Sequence, residues 1–190
     1  VTKILCDLCV PEQLREIPDR VLEVYGRADV LVNAAGLVGT AHRTGWITDF
    51  EKQELGPWRE AIDVNLSSIF LLAKGFRKAL GTSGKGVILN VGSIYGSVGP
   101  DMRLYEGTTM GNPAGYAASK GGVLALTKWF ATVLAPNVRA NLISPGGIWR
   151  GQDKKFHDRY IERTPLARMA TEEDLKGAIA YLTTDLSAYV

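Results

Sequence analysis

The chain has 190 residues, 46% of them hydrophobic and 22% charged, with a formal net charge of +2, enough for one domain with a sizeable core. So small a charge, with no Lys/Arg cluster, leaves out nucleic acid as a partner. No apolar run approaches the roughly 20 residues that span a bilayer, which leaves out membrane too.

Residues 1–5 are a short apolar run that reads as a strand ending at Asp7, with a carboxylate too early for a signal peptide, so a cytoplasmic location is expected. Cys6 and Cys9 stand as C-x-x-C, a spacing open to redox or zinc chemistry. No second pair exists, His42 and His157 are isolated, and Pro11 follows Cys9; small buried thiols and no metal site are expected. Residues 11–25 place Leu14, Ile17, Val21, Leu22 and Tyr25 on one helical face, with Gly26 as the C-cap. Residues 30–32 read as a second strand, too apolar to be an edge facing water. Residues 43–57 are mixed and polar, a loop or short helix. Residues 58–80 read as one long helix stopped by Gly81, and 86–91 as a third strand. The segment 112–134 includes a second long helix, and 138–143 is a fourth strand. Helices over 153–161 and 171–182 close the chain, the second opened by Thr171 with Asp174 three residues on, close to a capping box. Apolar strands separated by helices imply an α/β fold: a doubly wound parallel sheet with four recognisable strands, covered on both faces.

In such a sheet, ligands sit beyond the carboxyl ends of the strands. Those ends read Asp7-Leu8, Asn33-Ala34-Ala35-Gly36, Gly92-Ser93-Ile94-Tyr95-Gly96 and Ser144-Pro145-Gly146-Gly147. Small residues recur there, as expected where backbone approaches a ligand closely. The following helix carries Tyr116-Ala117-Ala118-Ser119-Lys120, with Tyr and Lys four apart on one face. A phenol is a poor acid or base at neutral pH; an ammonium held close favours the phenolate and makes the pair usable. Ser93, at the mouth of the preceding strand, is placed to hydrogen-bond a substrate oxygen. Asn65 sits mid-helix among Ile62, Val64, Leu66, Ile69 and Phe70, where Asn is a poor helix former; it is either a satisfied core amide or part of a proton path.

Together these motifs resemble the short-chain dehydrogenase/reductase family. Asn33-Ala34-Ala35-Gly36 is similar to its N-N-A-G signature, and Asp63-Val64-Asn65-Leu66, Ser93, Tyr116-x-x-x-Lys120 and Arg139 to Gly147 follow in the family's order, over essentially the whole chain. The resemblance implies a single Rossmann-like NAD(P)-binding domain over residues 1–190. It implies hydride transfer between a nicotinamide cofactor, NAD or NADP, and a small-molecule carbonyl or secondary alcohol. Tyr116 would be the acid/base. Lys120 would lower its pKa and bind the nicotinamide ribose, Ser93 would polarise the substrate, and Asn65 would hold a water in a proton relay. Asp7 and Leu8 would contact adenine, Asn33, Ala34, Ala35 and Gly36 would pack along the adenosine, and backbone at Ile148, after Pro145-Gly146, would hold the carboxamide. It also implies a homodimer or homotetramer paired through helices 58–80 and 112–134.

Against the family pattern, the strand 1–5 corresponds to the family's third. The resemblance therefore implies a longer enzyme, with a Gly-rich strand-helix-strand unit before this chain and a last strand after it. The chain alone is then expected to bind nicotinamide cofactor weakly or not at all, and strand 1–5 to pair beside 30–32, to fray, or to borrow strands from another copy, the first being favoured. Tyr116 stands further beyond Ser93 than in most short members. The extra stretch, 99–112, holds Asp101, Arg103, Tyr105, Glu106, Thr108 and Thr109, a composition that suits a sugar or other polyhydroxylated substrate. Arg150 would reach a cofactor phosphate or point to solvent. The alternatives are a nucleotide-sugar epimerase or dehydratase of the family's extended branch, and a catalytically silent binding protein on the same fold.

Overall fold

The structure, a computed structural model, describes residues 1–39 and 42–190. Three strands form its parallel sheet: β1 (Val30–Asn33), β2 (Gly86–Val91) and β3 (Val138–Ile143), in the order β1-β2-β3. Register pairs Val30 with Val87 and Asn33 with Asn90 on one side, and Gly86 with Val138 and Val91 with Ile143 on the other. β2 is apolar without alternation because both its faces are covered. Ile88 enters the main core, while Val87 and Leu89 point the other way and are buried as well.

That core is closed by three helices. α1 (Pro11–Tyr25) begins with proline at its first position and ends on Gly26 in the left-handed region, at φ 67°. α4 (Ala114–Val133) contributes Val123 and Phe130. Between them in sequence runs a helical stretch of three parts, α2 (Leu55–Ile62), a π-helical turn Asp63–Ser67 and α3 (Ser68–Thr82). Ile69, Ala73, Phe76 and Leu80 of α3 face the sheet. Gly81 does not stop this helix, which runs on to Thr82. α5 (Lys154–Glu162), capped by the Asp153 carboxylate, and α6 (Glu173–Leu182) follow β3. Asp174 accepts from Thr171 N at 2.8 Å, half of the expected box, and also pairs with Arg168.

A second, smaller apolar cluster stands apart. Leu104 from the 99–112 stretch, Phe156 of α5 and Met169 bury one another, with Tyr105, Met110, Tyr160 and Ile161 packed around them. The polar residues of that stretch are largely spent on it: Asp101 pairs with Arg103 and Arg163, and Thr108 bonds Tyr105 O and Met110 N.

Residues 1–5 form no strand, so the sheet has three strands rather than four. β1 is an edge, with Val30 and Val32 each 42% exposed, against the expectation that it is too apolar for one. A strand needs a ladder partner, and residues 1–5 have none among the described residues. α1 is locked on α3 where Pro18 fills the space above Gly75, a Cβ on which would lie 2.6 Å from the proline ring. Residues 1–5 lead into that helix through the turn closed by Val10 N on Asp7 O, and Thr2 is held by the Tyr25 hydroxyl.

Two glycines test this packing in opposite directions. A Cβ on Gly86 would lie 2.3 Å from Leu80 O, whereas one on Gly177, within α6, meets nothing. Gly86→Ala is expected to cost about 2–4 kcal/mol, and Gly177→Ala to add about 0.5–1 kcal/mol. Thermal unfolding of the two variants checks both signs.

Candidate active site

The π-turn is the local feature that builds the site. It centres on Asn65, fully buried, whose amide makes three hydrogen bonds: Oδ1 accepts from Leu37 N at 2.6 Å, and Nδ2 donates to Leu37 O at 3.1 Å and to Ser119 Oγ at 2.9 Å. Ser119 Oγ in turn donates to Tyr116 O. One side chain thus ties the loop after β1 to the first turns of α4. An extra residue in a helical turn is a recurrent device at functional sites, and here it aims Asn65 inward where an unbroken α-helix would carry it past.

Lys120 lies on the same α4 face as Tyr116, 5% exposed, with its Nζ on Val91 O at 2.8 Å and 5.9 Å from the centre of the Tyr116 ring. Burial lowers its pKa to about 8. Gly36 brings the loop after β1 to the same place: its Cβ position would lie 3.5 Å from Asn65 Oδ1 and 3.7 Å from Lys120 Nζ. Ser93, buried at the end of β2, opens a 3₁₀ turn whose Tyr95 N bonds its Oγ. Burial pushes the Tyr116 phenol up, the Ser93 hydroxyl pulls it down, and Tyr105 adds to the rise. The Lys120 ammonium, over the ring face and anchored to a β2 carbonyl, is not among the groups that shift the phenol here.

The remaining expected residues divide. Ala34 and Ala35 are exposed beside Gly36, but the Asn33 side chain is buried and its Nδ2 donates to Asn90 Oδ1, whose own Nδ2 donates to Thr127 Oγ1 of α4. Asp7 is exposed and Leu8 half-buried; with Cys6, Cys9, Gly36, Leu37, Arg43, Arg59, Glu60 and Asp63 they line a cleft of about 700 Å³. Burial first, then Asp7, raises both thiols, the reverse of a reactive dithiol. Pro145 O accepts from Ile94 N, tying the ends of β2 and β3 together. Ile148 forms a parallel bridge with Ala170, its O is taken by Gln152, and its N–H has no acceptor among the described residues. Arg150 points to solvent, where it pairs with Glu172 at 2.9 Å.

Sequence reading missed Asn90 and Thr127, which fix α4 on β2 opposite the site; a polar residue inside the apolar run Gly86–Val91 was the available signal. It also passed over Ser119, and Tyr160, whose hydroxyl accepts from Gly147 N. No cluster of three His, Cys, Asp or Glu side chains is placed to hold a metal among the described residues, and none of their helices is long and apolar enough to cross a membrane.

A family described as Enoyl-(Acyl carrier protein) reductase matches residues 1–190. The chain belongs to the short-chain dehydrogenase/reductase family. It is similar to the 3-oxoacyl-(acyl-carrier-protein) reductase of Thermotoga maritima, 33% identical over 94% of this chain and 68% of that protein. A short-chain dehydrogenase from Leptospira borgpetersenii, solved with bound NAD+, superimposes with a TM-score of 0.87 at 37% identity, covering 98% of this chain and 70% of that one. A gluconate 5-dehydrogenase from Burkholderia cenocepacia, solved with NADP and tartrate, gives a TM-score of 0.83 at 27% identity over 97% and 69%. As a member of this family the chain is an NAD(P)-dependent oxidoreductase.

The family's nicotinamide cofactor fits the donors present. An ammonium has three N–H groups, and Lys120 spends one of them, on Val91 O. The Ile148 N–H is likewise unspent among the described residues. Both suit the oxygen-rich ribose and carboxamide of a nicotinamide nucleotide.

A charged lysine so deeply buried weakens the fold. Its pKa, lowered from 10.5 to about 8, means that below pH 8 the unfavourable burial is felt in full, and that it is relieved as pH rises towards 10.5 and the folded state gives up its proton first. Lys120→Met is therefore expected to raise stability by about 2 kcal/mol at pH 7, after allowing for the lost Val91 bond. The gain should shrink by pH 10, and urea unfolding at the two pH values reads both.

Proposed function

We propose that the protein transfers hydride between a nicotinamide cofactor and a carbonyl or secondary alcohol, with Tyr116 as acid/base. The observation that carries this reading is the convergence of Ser93, Tyr116 and Lys120 at the carboxyl ends of β2 and β3, with Asn65 behind them. When bound, the cofactor supplies or takes up the hydride. In the oxidising direction Tyr116 receives the alcohol's proton as hydride leaves its carbon; in the reducing direction the phenol returns it to the forming alkoxide. Ser93 Oγ donates to the same substrate oxygen and stabilises charge developing there. Lys120, protonated below about pH 8, holds the ribose with its unspent N–H groups and offsets negative charge on Tyr116. The Asn65 amide is spent on Leu37 and Ser119, so its main-chain carbonyl, in the π-turn, is the group left to hold a relay water.

Asp7 and Leu8 line the adenine end of the cleft, and Ala34, Ala35 and Gly36 the adenosine wall. Pro145 and Gly146 bring Ile148 N–H to the carboxamide. NAD and NADP both remain within this reading. The substrate is a sugar or other polyhydroxylated compound, a reading favoured by the phenols around the site and consistent with the likeness to a gluconate 5-dehydrogenase.

The protein also pairs with itself through helices 58–80 and 112–134. Leu66, Phe70, Leu126 and Trp129 line an open groove of about 730 Å³ on these helices, with Phe70 43% and Trp129 52% exposed. A second copy covers such a face with the same face, as two-fold symmetry requires.

Tyr116→Phe is expected to lower the single-turnover rate of hydride transfer by about 10² to 10⁴, with cofactor affinity retained. A variant keeping most of its activity would make Tyr116 a packing residue. Trp129→Glu is expected to shift the protein to monomer in sedimentation velocity at micromolar concentration, and an unchanged sedimentation coefficient would rule out this face.

A further inference from the structure

Four phenols from four different elements meet at the substrate side of the site. Tyr95 lies in the turn opened by Ser93, Tyr105 in the stretch before α4, Tyr116 on α4 and Tyr160 on α5. Tyr95 feels Tyr105, Tyr160 and Tyr116, and Tyr116 feels Tyr105. Tyr105 and Tyr95 share a hydrogen bond between their hydroxyls at 3.3 Å. Tyr160 accepts from Gly147 N and presses so close on Gly146 that a Cβ there would lie 2.7 Å from its hydroxyl.

Counting donors decides what this wall is for. A phenol has one O–H. Two phenols that share one hydrogen bond leave one O–H over, whichever of them donates. Tyr160 uses its oxygen as an acceptor, and its own O–H has no acceptor among the described residues. Burial raises the Tyr95 phenol far beyond its ordinary value, so it stays a neutral donor at every working pH. All four rings are half-buried, and two of them are supported from behind by Phe156, with ring centres 5.2 Å from Tyr105 and 5.6 Å from Tyr160. The wall is therefore rigid and carries at least two unspent donors beside the reacting oxygen.

From this we infer that the Tyr95–Tyr105 pair, with Tyr160 beside it, is the specificity-determining element, and that it selects substrates bearing hydroxyl groups next to the reacting carbon over apolar carbonyls and alcohols. The inference rests on the hydride-transfer reading above and goes beyond it by naming the selecting residues and their means. A polyhydroxylated substrate satisfies the spare O–H groups and offers its C–H faces to the rings. An apolar chain or ring would displace water from those donors and leave them unpaired, a cost that a site built from Phe would not impose.

The test uses the full-length enzyme with both NAD+ and NADP+. Xylitol, myo-inositol and D-gluconate are compared with cyclohexanol, which has the ring of inositol without its extra hydroxyls. The wild type is expected to favour at least one polyol over cyclohexanol in kcat/KM. Tyr95→Phe and Tyr105→Phe should each lower kcat/KM for that polyol about tenfold, mainly through KM, while cyclohexanol is unchanged or improved. The double variant should lose little more than either single one, since the two share one hydrogen bond. Each substitution keeps its ring, so packing on Phe156 survives; equal losses on polyol and cyclohexanol, no loss on either, or a wild-type preference for cyclohexanol would each overturn the inference while leaving hydride transfer standing. Failure to oxidise any alcohol of the panel would overturn the hydride-transfer reading, and this inference with it.

Discussion

The arrangement of the site hangs on one amide. Asn65 satisfies both main-chain groups of Leu37 and the hydroxyl of Ser119 with a single buried side chain. Leu37 directly follows Gly36, and Ser119 directly precedes Lys120, so the loop after β1 and the reactive face of α4 are fixed to each other through it. The π-turn of Asp63–Ser67 is what such an arrangement demands of the helix: the extra residue rotates Asn65 inward while Leu66 and Ser67 keep their places on the outer face. Loss of the amide would strip both main-chain groups of Leu37 of this partner and leave Ser119 Oγ only its bond to Tyr116 O, each lost bond carrying a cost.

Around that clamp, the chain accepts instability where chemistry needs it. The ammonium of Lys120 is buried with one acceptor and no carboxylate beside it, so its lowered pKa records an unfavourable solvation, not an ion pair. The Asn33–Asn90–Thr127 chain works in the opposite sense. It places polar groups in the core but pairs them all, and it sets the height of α4 on β2 and hence the level at which Tyr116 and Lys120 emerge.

Much of this was legible in the sequence, for reasons that differ element by element. The strands Gly86–Val91 and Val138–Ile143 announce themselves as apolar runs bounded by glycine, proline and polar residues, and the structure has them with those bounds. α1 is written in its periodicity and its terminal Gly26. The π-turn was hidden because one inserted residue hardly disturbs an apolar pattern that already runs all round the helix. The segment 1–5 was misread because strand formation is a property of a pair, and composition cannot show whether a partner lies within reach. Of the candidate site, Ser93, Tyr116 and Lys120 were picked out by type and spacing and the structure brings them together, whereas the inward turn of the Asn33 amide onto Asn90 had no signal in the sequence. The polar residues of 99–112 look available in sequence, yet most satisfy one another, and the buried Leu104 among them is what seats the stretch on α5.

The separation of the Leu104–Phe156–Met169 cluster from the main core has a consequence for how this protein diverges from its relatives. Side chains that hold the sheet and those that shape the substrate wall share few neighbours, so changes in one group add nearly independently to changes in the other. A lineage can exchange Tyr105, Phe156 or Tyr160 and explore new substrates without drawing on the stability stored between α3, α4 and β2. Descendants should then differ most around the mouth of the cleft and least behind Asn65, a pattern of inheritance set by where two patches of apolar surface fail to touch.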